Sequence, residues 1–187
     1  MRLVPALVVL AGLFVANEAR AERSTIVNLS AGLGVQGDVD AVEPDVMWNV
    51  RASLTWEHPL PQIPDEEGDW NADGSLVPEL VAGSLFEKDR AEGYVGVGVR
   101  ADLRMAQNAM GLFKITMRGG VYLAARALVV GESQDVTYDF TLGEYFARRH
   151  NQTRFGWELQ VLDRPHYAET DAQYMGFLVS LYAAWAP

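Results

Sequence analysis

The chain contains no cysteine, so disulfide staples, thiolate metal sites and a lipid-modified cysteine behind an export signal are excluded. Positive charge is scarce. Against 25 Asp and Glu stand 15 Lys and Arg, a formal net charge of −10 that argues against a basic face for nucleic acid. Long apolar runs are missing as well, apart from one at the start. Beyond residue 21 no stretch approaches the roughly 20 apolar residues of a spanning helix, so any membrane crossing must be made by strands. At 187 residues the chain has room for one domain rather than two.

The exception at the start has the form of a secretory signal peptide. Met1-Arg2 is a short positive beginning, Leu3 to Ala16 is almost unbroken apolar, and Ala19-Arg20-Ala21 places small residues where a signal peptidase reads. Residues 1–21 are therefore expected to be removed after Ala21, which takes away two arginines and one glutamate and leaves a net charge of −11. Residues 22–187 form the mature domain.

What is present in that domain is alternation. Side chains of a strand point to opposite faces in turn, and a barrel wall in lipid alternates apolar outside with polar or small inside over about 10 residues. Thr25 to Val35 sets Val27, Leu29, Ala31, Leu33 and Val35 against Asn28, Ser30, Gly32 and Gly34. Val46 to Glu57 sets Val46, Trp48, Val50, Ala52, Leu54 and Trp56 against Met47, Asn49, Arg51, Ser53, Thr55 and Glu57. The third segment, Leu76 to Phe86, is mixed on both faces and interrupted by Pro78. Tyr94 to Met105 opposes valines to Gly96, Gly98, Arg100, Asp102 and Arg104, and Leu112 to Arg126 opposes Phe113, Ile115, Met117, Val121 and Leu123 to Lys114, Arg118, Gly120, Tyr122 and Arg126. In the sixth and seventh segments Thr137, Asp139, Thr141 and Gly143, then Arg154, Gly156, Glu158 and Gln160, share the polar face. Gln173 to Trp185 completes eight segments, with Met175, Phe177, Val179, Leu181, Ala183 and Trp185 on its apolar side.

The last segment carries a resemblance. Tyr174-Met-Gly176-Phe-Leu-Val179-Ser-Leu181 resembles the carboxy-terminal signal by which outer-membrane barrels are recognised for insertion, although Ala186-Pro187 follow the aromatic Trp185 where that family usually stops. In architecture the mature chain resembles the small OmpA/OmpX-type barrels. The resemblance implies an all-β, closed, antiparallel up-and-down transmembrane barrel of about eight strands in the cell outer membrane. It also implies contact with outer-membrane lipid and lipopolysaccharide, and with the barrel-assembly machinery through the last strand.

Alternation alone fits equally a soluble periplasmic barrel of the lipocalin type, with the apolar face turned inward. Two features favour lipid outside. The charged face carries Gly32, Gly34, Gly96, Gly98, Gly120, Gly143, Gly156 and Gly176, small residues that suit a crowded narrow lumen. Aromatics lie toward the ends of the apolar face: Trp56, Phe113, Phe155, Trp157 and Trp185 would form one girdle, with Trp48 near the other. With both termini on the periplasmic side, the upper connections are 36–45, 87–93, 131–134 and 164–172.

An eight-stranded lumen is just wide enough for side chains, so an aqueous pore is disfavoured. The inward charges Arg51, Glu57, Arg100, Asp102, Arg104, Lys114, Arg118, Arg126, Asp139, Arg154 and Glu158 must then neutralise one another. By this count arginine outweighs acid, which leaves room for a bound anion. One acidic connection, 58–74, is long for the periplasmic side: Asp69, Asn71, Asp73, Ser75 and Glu79 partly match a calcium loop, with Gly74 for the turn, but the acid falls one residue early and no helix pattern flanks it. No other cofactor is indicated. Eight-stranded outer-membrane barrels that deacylate lipid A carry a His-x-Ser pair, whereas the three histidines here are followed by Pro-Leu60, Asn-Gln152 and Tyr-Ala168. A rim triple of His166, Asp171 and Ser133, in the manner of palmitoyl-transferring barrels, is conceivable only as a chance grouping. The expected role is non-enzymatic, structural or surface-interacting through acidic loops such as Asp38 to Asp45, with a lipid A-modifying enzyme as the alternative. N-terminal sequencing of the mature envelope protein should return Glu22 as its first residue.

Overall fold

A computed structural model describes residues 24–38, 44–66, 68–109, 115–131, 135–147, 153–164 and 173–185. The signal segment, Phe113, Lys114, Ser133, His150, His166 and Asp171 lie outside them, as does most of the acidic loop after Asp38. The eight strands are β1 (Ser24–Asp38), β2 (Asp45–Glu57), β3 (Trp70–Phe86), β4 (Ala91–Ala109), β5 (Ile115–Val130), β6 (Asp135–Ala147), β7 (Arg154–Arg164) and β8 (Tyr174–Trp185). Each pairs antiparallel with its sequence neighbours, and β8 returns to β1, closing the barrel.

The stagger follows from the register. Stepping across Cα partners from Ile26 through Thr55, Glu79, Gly98, Arg126, Asp139, Leu162 and Gly176 returns to β1 at Gln36, ten residues further on. That shear tilts the strands by about 40° and leaves a lumen that side chains fill. Past the exposed Asp45, the pleat sorts the residues of β2: Met47, Asn49, Arg51, Ser53, Thr55 and Glu57 are buried, Val46, Trp48, Val50, Ala52 and Leu54 are exposed, and Trp56 is half-buried. The molecule is thus inverted relative to a protein folded in water. Arg100 is 1% exposed and Leu181 is 75% exposed.

Exposed aromatics mark two levels on the outer wall. Phe146 pairs with Phe155 near the end that carries the termini, with Trp157 and Trp185 close by, and Trp48 pairs with Phe86 near the other end. Phe146 was not in the expected girdle because β6 runs four residues beyond the sequence-based limit of Gly143.

Two strands differ more instructively from expectation. β3 begins at Trp70, not Leu76, and Pro78 lies within it. Its ladder with β2 ends at Thr55↔Glu79, one position short of Pro78, whose nitrogen has no hydrogen to donate. Its ladder with β4 continues unbroken down to Trp70↔Gln107. β3, β4 and β5 therefore project together below the rim on the terminus side as a three-stranded tongue. The long acidic connection is shorter than expected: residues 70–74 are the lower part of β3, which leaves 58–69 between β2 and β3.

Glycines on the inner face stand opposite tyrosines. The register pairs Gly83 with Tyr94, Gly143 with Tyr122, Gly120 with Tyr145 and Gly156 with Tyr182. A Cβ at Gly83, Gly120 or Gly143 would collide with the facing tyrosine ring. Those three rings take the space that a side chain would fill, which lets large side chains fit a narrow lumen. Gly143→Val should destabilise the barrel by about 1–3 kcal/mol through overpacking against Tyr122, measured by urea unfolding in detergent.

Candidate functional site

The inner face is where chemistry-bearing side chains converge, in layers. At the mouth on the terminus side, the chain after β2 does not turn directly into β3. It crosses the inner face of the tongue as a strap, His58-Pro-Leu-Pro-Gln-Ile-Pro64. Three prolines leave it few N–H groups, and its carbonyls take donors from two arginines. Arg104 reaches the His58 carbonyl at 2.7 Å while binding both oxygens of Asp73, at 2.8 and 3.0 Å. Arg118 donates to the carbonyls of Leu60 and Pro61, at 3.3 and 2.8 Å. Leu60 packs on the next layer, formed by Ile26, Tyr122, Ala124, Tyr145, Tyr182 and Ala184.

In that layer the three tyrosine rings have centroids 6.2 to 6.3 Å apart. Glu57 accepts from Arg100, Arg154 and Thr55. Arg100 also pairs with Asp102 at 2.9 Å and lies 4.6 Å from the centre of the Tyr122 ring, while Arg154 lies 5.0 Å from that of Tyr145. The Tyr145 hydroxyl donates to Asp102.

The next layer is centred on Asp139, fully buried. It takes Arg51 at 3.2 Å, Arg126 at 3.0 Å and Gln160 at 2.8 Å. Arg51 also holds Glu158, which accepts the Tyr122 hydroxyl, and Arg126 holds Glu79 at 2.6 Å. From Gln160 the chain of bonds runs through Asn49 to the Tyr94 hydroxyl. Above it a dry layer of Met47, Val81, Leu85, Tyr94, Leu128, Val130, Leu162 and Leu178 blocks the axis. At the far rim Arg164 joins Glu87 and Glu92, both at 2.6 Å, and Gln36.

Among the described residues, Arg51, Arg100, Arg104, Arg126, Arg154 and Arg164 are buried, and so are Glu57, Glu79, Glu92, Asp102, Asp139 and Glu158. Buried arginines and buried carboxylates are therefore equal in number, which corrects the basic excess expected from the sequence. The expectation missed Glu92 and Arg164 because it began β4 too late and ended β7 too early, although both stay in phase with the inward residues of their strands. It considered Glu79 as a calcium ligand, whereas Glu79 is inside on Arg126. Lys114 lies outside the described residues, and Arg118 stands on the last rung between β5 and β6, opposite Ala147, and is only partly buried.

The residues considered for calcium are not brought together. Asp69 precedes β3; Asn71 donates to the Gln62 carbonyl, Asp73 is taken by Arg104, and Glu79 by Arg126. Asn71, Asp73 and Ser75 are alternate residues of an extended strand, roughly 7 Å apart along one face, so their oxygens diverge where a calcium loop would converge them. Among the described residues no group of three or more His, Asp or Glu side chains is arranged to hold a metal ion.

No protein-family model and no curated protein sequence matches the chain. Among solved structures it is similar to one titled as the outer membrane enzyme PagL, with a TM-score of 0.51 and 10% identity over 86% of this chain and 99% of that one. A second, the attachment invasion locus protein Ail of Yersinia pestis, covers 88% of this chain and 99% of its own at 7% identity; its TM-score of 0.25 carries no argument. The first likeness establishes the fold, that of a small closed eight-stranded antiparallel barrel of the outer-membrane type.

Arg126→Met strands Glu79 away from water and should cost about 3–5 kcal/mol, whereas Arg126→Met with Glu79→Met should recover at least about 1 kcal/mol of that loss. Urea unfolding of the two variants in detergent measures the difference.

Proposed function

We propose that this protein is an exported, integral outer-membrane barrel with a non-conducting, non-catalytic lumen, whose role is structural or surface-interacting. One observation carries the reading: the buried charges are matched within a closed wall while Leu, Val, Phe and Trp side chains cover its outside. In water an exterior of this kind would be one continuous apolar patch. In hydrocarbon it is the favourable surface, and closure leaves no strand edge unpaired within the bilayer.

The partners proposed follow from that surface. Outer-membrane lipid and lipopolysaccharide lie against the wall, and the assembly machinery takes the last strand, Tyr174–Trp185. The inner carboxylates and arginines hold one another, so each would have to leave a charged partner before it could act on a substrate or pass an ion. The dry layer between the Asp139 network and the Arg164 rim adds a barrier to water. What remains for recognition is the two ends of the barrel.

The protein should co-sediment with outer membranes and migrate differently on gels before and after heating. Purified barrels in planar bilayers should show no stepwise conductance, and lipid A from cells with and without the gene should give the same mass spectrum. Stable folding in buffer without detergent would overturn the membrane reading, and a changed lipid A acyl pattern would overturn the non-catalytic one.

A further inference from the structure

The tongue leaves an open strand edge in water. Below Glu79, β3 has lost β2 as a partner but keeps β4, so Trp70 to Leu76 present one side of their backbone to no other strand. In an antiparallel strand alternate residues address opposite neighbours. The phase set by Pro78, which ends the β2 ladder, gives the open side to Trp70, Ala72, Gly74 and Leu76. Near the tip, Gly68 donates its N–H to the Asn108 carbonyl, which extends the β4 side and leaves the open side as it was.

Proteins usually blunt such edges with lysine, proline or a bulge. This one has none of these over Trp70–Leu76, and its register with β4 runs without a skip. Trp70 and Leu76, 63% and 55% exposed, stand on the outer face of the same edge. On the inner face Asn71 and Asp73 are engaged by the Gln62 carbonyl and Arg104, while the Ser75 hydroxyl is buried with no hydrogen-bond partner. Asp65, Glu66 and Asp69 are exposed just before the strand.

We infer that this edge docks an extended, basic peptide segment of a periplasmic partner, which adds to the tongue as a further strand. The inference rests on the outer-membrane reading, because that reading excludes a second copy as the occupant. Two copies in one membrane share their up-down orientation and are related about the membrane normal. Strands tilted by about 40° would then cross at about 80° and could not form a ladder. A free periplasmic segment has no such restriction. Its apolar side chains would lie beside Trp70 and Leu76, and its Lys or Arg side chains beside the exposed carboxylates of Asp65, Glu66 and Asp69. An alternating apolar and basic segment of about eight residues fits both rows.

The test uses the mature chain in lipid nanodiscs and a labelled peptide of alternating lysine and valine, read by fluorescence anisotropy. Saturable binding is expected, with no binding of the glutamate–valine counterpart. Ala72→Pro removes one N–H from the open side only, in the phase that Pro78 already occupies, and should weaken binding about tenfold. The combined Asp65→Asn, Glu66→Gln and Asp69→Asn variant should bind more weakly and lose most of its salt dependence. Should Ala72→Pro fail to fold, the same peptide methylated on alternate backbone nitrogens tests the ladder on the unaltered protein. Equal binding of the methylated peptide reduces the effect to general charge attraction and overturns the inference, as does absence of binding by a barrel that still shows heat-modifiable migration. Failure of the membrane reading looks different: the chain then stays folded without detergent, whatever the peptide does.

Discussion

Everything inside this barrel answers to the pairing of arginine with carboxylate in a space that water does not enter. Eight strands with a shear of ten leave a lumen the width of side chains, and a charge there has no solvent to fall back on. The solution is reciprocal. Asp139 serves Arg51 and Arg126, each of which serves a further carboxylate, and Glu57 bridges Arg100 and Arg154. Apart from Arg100 with Asp102, these pairs join different strands: Arg51 and Glu158 lie on β2 and β7, three strands apart around the closed wall. The network therefore ties distant strands to one another and fixes the register that closure alone would leave to the hydrogen-bond ladder.

The tyrosine and glycine rows make the same space workable. A tyrosine ring is too large for a narrow lumen unless the neighbouring strand gives way, and Gly143 opposite Tyr122 gives way by having no side chain. The ring hydroxyls then reach the network, Tyr122 to Glu158 and Tyr145 to Asp102. Apolar bulk and polar satisfaction come from one residue type, which explains why the layer can be dense and charged at once.

Prolines shape the lower end. Pro78 ends the β2 ladder without bending β3 away from β4, and the strap's three prolines remove donors that the mouth could not satisfy. Arginines 104 and 118 then hold the remaining carbonyls. The result is a strap at the mouth of the lumen and, beside it, an open sheet edge. A sequence reading that treats Pro78 as a strand breaker misses both, because proline excludes a hydrogen bond on one side only.

The sequence by itself determined the number of strands and, outside β3, the face that the residues of each segment occupy, since a period of two is a local property that lipid outside and a crowded axis inside both enforce. It also determined that the inner charges had to cancel. Only the tertiary structure decided which charge meets which, because alternation assigns a face and says nothing about the strand opposite. It decided too that Glu79 faces the lumen and Arg126 rather than a metal ion, that Glu92 and Arg164 belong to the inner set, and that β3 continues to Trp70. Those outcomes depend on strand ends and on shear, and both are set by ladders between segments far apart in the chain.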